Sequence, residues 1–247
     1  MSDAIITSPA NPTVKLIRSL AEKKHRQETG LFVAEGPKVL VRARSEGWEP
    51  DYLVSTSTPD TWGSAKPLVV DDRIMAVLSA QKNASPVLGV FRQRWARDVR
   101  PDGPWLALED MRDPGNLGTI IRTADAAGVS GIILAGQSCD PWGPDCVRAT
   151  MGSIFAVPLM RMATASLAAL CRTWPGEVAG THLTATQDFR KDYGAPVLLV
   201  MGSDGSGLSE QLASACSTLV RIPMKPGPDS LNVAAATALM LYQAIKP

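Results

Sequence analysis

The stretch that decides the fold reads PVLLVM at 196–201 and GSDGSGLS at 202–209. Six consecutive apolar residues are typical of a central strand that is covered on both faces of a parallel sheet. The three glycines after this strand let the backbone adopt conformations that other residues avoid, so main-chain amides can approach a ligand closely. The loop matches neither GxGxxG nor GxxxxGK(S/T), the common nucleotide-phosphate motifs, because no residue after Gly207 supplies their last glycine or their lysine. It therefore predicts a tight strand-to-helix turn or a ligand-binding turn, and by itself it favours the former.

Strands and helices alternate on both sides of this stretch. In the second half we predict strands at 105–108, 131–134, 156–159, 177–181, 197–201 and 218–222, and helices at 117–127, 166–174, 209–216 and 231–245. In the first half we predict helices at 12–26, 36–46 and 74–78, with strands at 31–34, 52–54 and 87–91. The pattern indicates a small α/β domain at 1–98, a polar Pro/Gly linker, and an open, mostly parallel α/β sheet at 104–247.

The net charge of +1 gives no whole-chain sign of nucleic-acid binding. Two local clusters of cations do occur, one on the outer face of helix 12–26 and one around the linker. The clusters consist of Lys15, Arg18, Lys23, Lys24 and Arg26, and of Arg92, Arg94, Arg97 and Arg100 with Trp95 between them. Each cluster alone fits a solvated surface equally well. Two in one small domain favour contact with RNA phosphates and unpaired bases.

Several classes of protein are disfavoured by the residues present. The two histidines, His25 and His182, have no partner at metal-ligand spacing, and His182 is more readily explained as a packed residue than as a base. Residues 230–245 are uncharged but too short for a membrane span, and no targeting leader is apparent at the start of the chain. We expect a cytoplasmic protein with no metal and no membrane segment.

Three polar loops follow predicted strands, where ligands bind in parallel sheets. The first, at 109–116, leads into a helix that Asn116 could cap, with Arg122 six residues further on. The second is the glycine-rich loop. The third, at 222–233, is rich in Pro and Gly and ends at a helix that Asp229 or Ser230 could cap, which would leave Asn232 exposed in the first turn.

Taken together, these loops carry NLGTIIR at 116–122, MGSDGSGL at 201–208, and IPM at 222–224 with SLNV at 230–233. The three motifs resemble those of the SpoU/TrmH family, the ribose 2′-O-methyltransferases of the SPOUT superfamily. The resemblance covers residues 104–247, and residues 1–98 look like the smaller RNA-binding domain, similar to certain ribosomal proteins, that often precedes this catalytic domain. One departure is Asp204, where the family usually has glutamate.

The resemblance implies a C-terminal trefoil knot, a homodimer whose partner completes the active site, and S-adenosylmethionine as the cofactor. It implies cofactor contacts from Leu134, Gly136, Thr181, Met201, Gly202, Ile222, Met224, Leu231 and Val233. It implies catalytic roles for Asn116, Arg122, Asp204, Ser230 and Asn232. The expected substrate is RNA, with ribosomal RNA preferred over tRNA. The alternatives are a non-catalytic RNA-binding protein that retains the fold, and methylation of a tRNA nucleotide.

Overall fold

A computed structural model describes residues 5–58, 61–203, 207–225 and 230–246. The chain divides into two compact units. The first comprises Met1–Gln93 together with Asp140–Ala156, and the second comprises Arg94–Cys139 together with Val157–Pro247. The sequence placed residues 140–156 in the domain at 104–247, whereas their contacts group them with the first unit.

Helices and strands alternate through the described chain. The helices are α1 (Pro12–Ser19), α2 (Lys23–Thr29), α3 (Pro37–Ser45), α4 (Asp72–Leu78), α5 (Pro114–Ala127), α6 (Pro144–Ala149), α7 (Thr164–Thr173), α8 (Glu210–Ala213) and α9 (Val233–Ile245), with a 3-10 turn at Ser153–Phe155. The strands are β1 (Leu31–Glu35), β2 (Tyr52–Ser55), β3 (Lys66–Val69), β4 (Val87–Arg92), β5 (Trp105–Glu109), β6 (Gly131–Ala135), β7 (Leu159–Met162), β8 (Val178–Thr181), β9 (Gln187–Asp188), β10 (Leu198–Met201) and β11 (Thr218–Arg221).

The second unit contains a seven-stranded sheet in the order β7-β6-β5-β10-β8-β11-β9. Each pairing in this sheet is parallel, which confirms the predicted mostly parallel α/β fold. β10 is central and fully buried, as its run of apolar residues predicted. Because the strands are parallel, their carboxyl ends lie at one edge of the sheet, and the loops that leave them meet there.

The first unit contains a four-stranded mixed sheet in the order β1-β4-β2-β3. β4 pairs antiparallel with β1 and with β2, whereas β2 and β3 are parallel. The sequence missed the short strands β3 and β9 and the helix α6. It also placed the strand at 156–159 three residues too early, because the 3-10 turn and the residue after it occupy its predicted start.

An aromatic cluster explains why residues 140–156 belong to the first unit. The ring centroids of Trp142 and Phe32 lie 4.7 Å apart, and those of Phe155 and Phe91 lie 4.8 Å apart. Trp48 donates its indole N–H to the carbonyl oxygen of Phe155 at 2.8 Å. Buried aromatic contacts of this kind contribute strongly to a core, so this segment supplies part of the interior of the first unit.

Arg26 corrects the prediction of one long basic helix at 12–26. It is only 4% exposed, and its Nη1 donates to the carbonyl oxygens of Leu20 and Ala21 at 2.8 Å each. These carbonyls follow α1, so the guanidinium satisfies groups that a continuous helix would have used internally. Its Nη2 lies 2.8 Å from Oδ2 of Asp140. Arg26 is therefore an internal ion-pair partner and does not belong to an exposed basic surface.

Replacing Arg26 with Ala should lower the free energy of unfolding by about 3 kcal/mol, because the mostly buried carboxylate of Asp140 loses its partner and two carbonyls lose a donor. Chemical denaturation of the full chain measures this change. Lys24→Ala is the matched control, because Lys24 is exposed and its ion pair with Glu28 is long at 3.9 Å, so a change below about 0.5 kcal/mol is expected. A loss below about 1 kcal/mol for Arg26→Ala would contradict this account.

Candidate active site

A cavity of about 420 Å³ opens at the carboxyl ends of β8, β10 and β11. All the described residues that line it belong to the second unit. They are Thr181, His182, Leu183, Met201, Gly202, Ser203, Gly207, Val220, Arg221, Ile222, Pro223, Met224, Lys225, Ser230, Leu231, Val233 and Ala236. The second and third motifs thus share one pocket. Its size and its mixture of apolar walls with a few polar groups are those of a site for a small organic molecule.

The glycine-rich loop folds back on itself after β10. Gly207 adopts φ +67°, and its amide donates to the carbonyl oxygen of Ser203 at 3.3 Å. A Cβ added at Gly202 would lie 2.0 to 2.3 Å from backbone atoms of Gly207 and Leu208. Glycine is required at 202 because the returning backbone occupies the space of any side chain. Backbone at Gly202 and Gly207 therefore lines the cavity, which is what a ligand-binding turn would require.

A buried carboxylate anchors the far end of this loop, and sequence reasoning gave it no role. Glu109, the last residue of β5, is 5% exposed and accepts hydrogen bonds from the amide of Ser209 at 2.8 Å and from its hydroxyl at 2.7 Å. The Ser209 hydroxyl in turn accepts from the amide of Leu212 at 3.3 Å and caps α8. The only signal in the sequence was an acid placed directly after an apolar strand.

The first and third motifs meet through two asparagine side chains. Nδ2 of Asn232 donates to Oδ1 of Asn116 at 3.0 Å. The Oδ1 atom of Asn232 accepts from the amides of Ala234 and Ala235 and so caps α9. Asn232, and not Ser230, is thus the cap of this helix, and Asp229 lies outside the described residues. One side chain both starts α9 and fixes its position against α5.

The start of α5 also differs from the prediction. Oδ1 of Asp113 accepts from the amide of Asn116 at 2.6 Å, so Asp113 caps the helix and α5 begins at Pro114. Proline suits the first turn because it has no amide hydrogen to leave unsatisfied. Since Asp113 provides the cap, the side chain of Asn116 is left to accept the hydrogen bond from Asn232.

Seven of the nine residues expected at the cofactor line the cavity. They are Thr181, Met201, Gly202, Ile222, Met224, Leu231 and Val233. Leu134 and Gly136 are not among the residues that line it. Leu134 is fully buried in β6, which β5 separates from β10, and Gly136 at φ +62° leaves room for Oδ1 of Asp110, which a Cβ there would approach to 2.3 Å. That carboxylate accepts from the amide of Gln137 at 2.6 Å, so this glycine serves a turn.

Only some of the residues expected in catalysis lie at the cavity. Ser230 lines the cavity, and Asn232 lies between two residues that line it. Arg122 is exposed on α5, about 9 Å along the helix axis from Asn116, and is not among the residues that line the cavity. Asp204 lies outside the described residues.

Three nitrogen-bearing side chains at the cavity were not assigned to it from sequence: His182, Arg221 and Lys225. Nδ1 of His182 lies 2.9 Å from Oγ1 of Thr184, which fixes the ring beside the cavity. His182 is thus hydrogen-bonded, as expected, but it lies at the candidate site.

The described residues offer neither a metal-ion cluster nor a membrane-spanning helix. Residues 5–58, 61–203, 207–225 and 230–246 contain no group of three or more His, Cys, Asp or Glu side chains placed to hold a metal ion. The same part of the chain contains no helix with the length and apolar character needed to cross a bilayer.

Profiles of two known families match this chain, one over the region of the three motifs and one over the first unit. The profile of the SpoU rRNA Methylase family matches residues 104–242, which include all three motifs. The chain belongs to this family. The family assignment drawn from the motifs is therefore confirmed, and the protein is a SpoU methylase. The profile of the MRM3-like substrate binding domain matches residues 11–89, in the first unit.

Individual relatives agree over almost the whole SpoU methylase chain. A tRNA/rRNA methyltransferase of Synechocystis, described as uncharacterised, is 34% identical, covering 98% of this chain and 93% of the relative. A 23S rRNA uridine 2′-O-methyltransferase of Streptomyces viridochromogenes is 30% identical, covering 92% and 86%. The crystal structure of an AdoMet-bound rRNA methyltransferase from Sinorhizobium meliloti is 41% identical with a TM-score of 0.92, covering 98% of this chain and 97% of that one.

Replacing Gly202 with Ala should weaken binding of S-adenosylhomocysteine, the demethylated product of the expected donor, by at least about tenfold, because the loop must open to admit the new methyl group. Isothermal titration calorimetry measures the dissociation constant. Gly194→Ala is the control, since its added Cβ would meet Glu177 at an ordinary 3.5 Å and should leave binding unchanged. Equal binding by both variants would rule out the tight fit at Gly202.

Asn232 allows the helix cap to be separated from the contact with Asn116. Asn232→Ala should lower the free energy of unfolding by about 1 kcal/mol, and Asn232→Ser should restore most of that loss, because serine caps helices well. Serine is too short to reach Asn116, so both variants should lose methyl transfer to a similar degree. Urea denaturation and a methylation assay report the two effects. Full activity of the serine variant would show that the contact is dispensable.

Proposed function

We propose that this SpoU methylase transfers the methyl group of S-adenosylmethionine to a ribose 2′-hydroxyl of ribosomal RNA. The observation that carries the proposal is the cavity shared by the second and third motifs, with the first motif tied to it by the hydrogen bond between Asn232 and Asn116. The Streptomyces and Sinorhizobium relatives, both named for rRNA, support this substrate over tRNA. Such a substrate also favours a cytoplasmic location.

The residues present fit the proposed cofactor. The adenosyl group offers a flat apolar ring with polar edges, and the walls at Ile222, Leu231 and Val233 are apolar. The backbone at Gly202 is bare of side chain, and the hydroxyl of Thr181 adds a polar group. These residues, with Met201 and Met224, would hold the cofactor. When bound, it supplies a methyl group on a sulfonium centre that is already activated for displacement, so no metal ion is required.

The chain's own task is to position the hydroxyl and manage its charge and proton. Arg122 is unsuited to be the base because a guanidinium carries only N–H donors and has no acceptor for a proton. It is suited to bind the phosphate beside the target ribose and to stabilise negative charge that develops on the 2′-oxygen. The proton would pass to that phosphate or to another group. The exposure of Arg122 supports contact with RNA.

The remaining motif residues position the reacting groups. The hydrogen bond from Asn232 orients the amide of Asn116, whose own task would be to direct Arg122 toward the ribose. Ser230, exposed at the cavity, would contact the ribose or the donor. Asp204 would contribute a carboxylate to the same site, one methylene shorter than the usual glutamate.

A homodimer would complete this site, because Arg122 does not line the cavity of its own chain. The side chains of Leu239 and Tyr242 on α9 are 44% and 50% exposed, and a partner subunit that covered them would bury apolar surface. The partner's α5 would then bring a second copy of Arg122 to the cavity. Membership of the SpoU methylase family also supports the trefoil knot expected of the C-terminal part.

The proposed function predicts a single methylated product and an essential arginine, Arg122. Ribosomal RNA from cells that lack the protein, incubated with the protein and S-adenosylmethionine, should yield a single 2′-O-methylated nucleoside by mass spectrometry after digestion. Arg122→Ala should reduce this product by at least about a hundredfold while it binds S-adenosylhomocysteine normally. Arg172→Ala, which removes an exposed arginine elsewhere in the same unit, is the control and should retain activity.

Two results would count against this scheme. A methyl group on a base would contradict the ribose assignment. Sustained turnover by the Arg122→Ala protein would contradict the role given to that arginine.

A further inference from the structure

The first unit contains a larger cleft, of about 700 Å³, that the methyl-transfer chemistry does not use. Its walls come from the C-terminal half of α1, the start of α3, the end of α4 with the turn after it, and α6 with the residue that follows the helix cap. The last wall is part of the segment 140–156. A piece of chain from within the methylase profile thus completes a cleft on the region that matches a substrate-binding domain.

The inside of this cleft is apolar. Ile17 and Val39 are buried at its base, and Val33 is partly buried beside them. Val77 and Met151 line it while remaining 44% and 53% exposed, so two apolar side chains within one concave site are accessible to a ligand. An exposed apolar surface inside a concave site of this size indicates a ligand with a flat or apolar part.

Met151 is held there at a conformational cost. Its φ of +51° lies in the left-handed region, which side-chain-bearing residues seldom adopt. The turn around it is fixed by Thr150, whose hydroxyl donates to the carbonyl oxygen of Val147 and accepts from the amide of Gly152. Backbone strain that the surroundings impose is often found at ligand sites, and a thioether is a soft, polarisable contact for an aromatic ring.

The charged groups of the cleft favour an anion. Arg18 and Lys38 are exposed at it and form no ion pair with any residue that the structure describes. Arg148 is also present and pairs with Asp145 at 2.9 Å. Of the two carboxylates that line the cleft, Glu35 accepts from the hydroxyl of Ser79 at 2.6 Å and from the amide of Ala80 at 3.1 Å.

The second carboxylate, Glu22, lies 3.8 Å from His25. Because neither Arg18 nor Lys38 has an ion-pair partner among the residues that the structure describes, both are available to a ligand with phosphate groups next to a flat ring.

We propose that this cleft binds an unpaired nucleotide of the RNA substrate, with the base against Val33, Val77 and Met151 and the adjacent phosphates on Arg18 and Lys38. Bases without a pairing partner are the parts of RNA that proteins bind in apolar pockets, and neighbouring phosphates attract lysine and arginine. The inference rests on the proposed function, because it takes RNA as the substrate. It adds that the SpoU methylase recognises an unpaired nucleotide through the first unit, apart from the one it methylates.

Fluorescence anisotropy with the full chain tests the cleft. The probes are a fluorescein-labelled RNA hairpin with one bulged uridine and the same hairpin without the bulge. The wild-type protein should bind the bulged hairpin about tenfold more tightly. Arg18→Ala/Lys38→Ala should weaken binding of the bulged hairpin about tenfold and reduce the slope of log affinity against log salt by about 1.4, the value for two phosphate contacts.

Met151→Asn separates recognition of the base from folding. Asparagine tolerates the left-handed conformation better than methionine does, so this variant should fold at least as stably, as measured by thermal denaturation. It should nevertheless lose most of the preference for the bulge. The matched charge control is Lys66→Ala/Arg73→Ala, which removes one lysine and one arginine exposed elsewhere in the first unit and should change affinity less than about twofold.

The cleft inference is overturned if the wild type does not distinguish the hairpins, or if the Arg18/Lys38 and Met151 variants bind both probes as the wild type does. Methylation of ribosomal RNA and binding of S-adenosylhomocysteine by the same preparations report on the proposed function separately. A wild type that methylates ribose while the cleft variants bind RNA normally would leave the proposed function standing and remove only this inference.

Discussion

A single hydrogen bond, from Nδ2 of Asn232 to Oδ1 of Asn116, joins two motifs that lie 116 residues apart in the chain. The parallel sheet brings the carboxyl ends of its strands to one edge, but it does not fix how the helices after those strands lie against each other. α5 and α9 pack together, and the asparagine pair fixes the contact at the start of α9. Asn232 also caps α9, so one side chain both begins this helix and links it to the first motif on α5.

Glycine at position 202 lets two segments of backbone lie in close contact beside the cavity. Gly202 lies so close to the backbone of Gly207 and Leu208 that no side chain fits at this position. Glu109 holds Ser209, just beyond the loop, by two hydrogen bonds. The described residues at the two ends of the loop are therefore each held by a specific contact. Gly202 and Gly207 bring bare backbone to the cavity, where main-chain groups can bind the polar edges of a flat ring.

Strands and motif residues, which depend on residues close together in the chain, could be predicted from the sequence. The apolar run at 197–201 gave β10 to within a residue, and seven of the nine residues expected at the cofactor line the cavity, as does Ser230. Long-range packing was not predictable in this way. Arg26 occupied a position on an apparently exposed helix face, but its partner Asp140 is 114 residues away in sequence. For the same reason Trp142 and Phe155 gave no sign that they would pack against Phe32 and Phe91 in the first unit.

The central claim is that the loops after β8, β10 and β11 hold the methyl donor. A crystal structure of this SpoU methylase with S-adenosylhomocysteine tests it most directly. The account predicts an adenosyl group in contact with Gly202, Ile222 and Leu231, at the mouth of the cavity that includes Thr181. Density for the ligand beside Leu134 and Gly136 at the end of β6, with an empty cavity at Gly202, would contradict it.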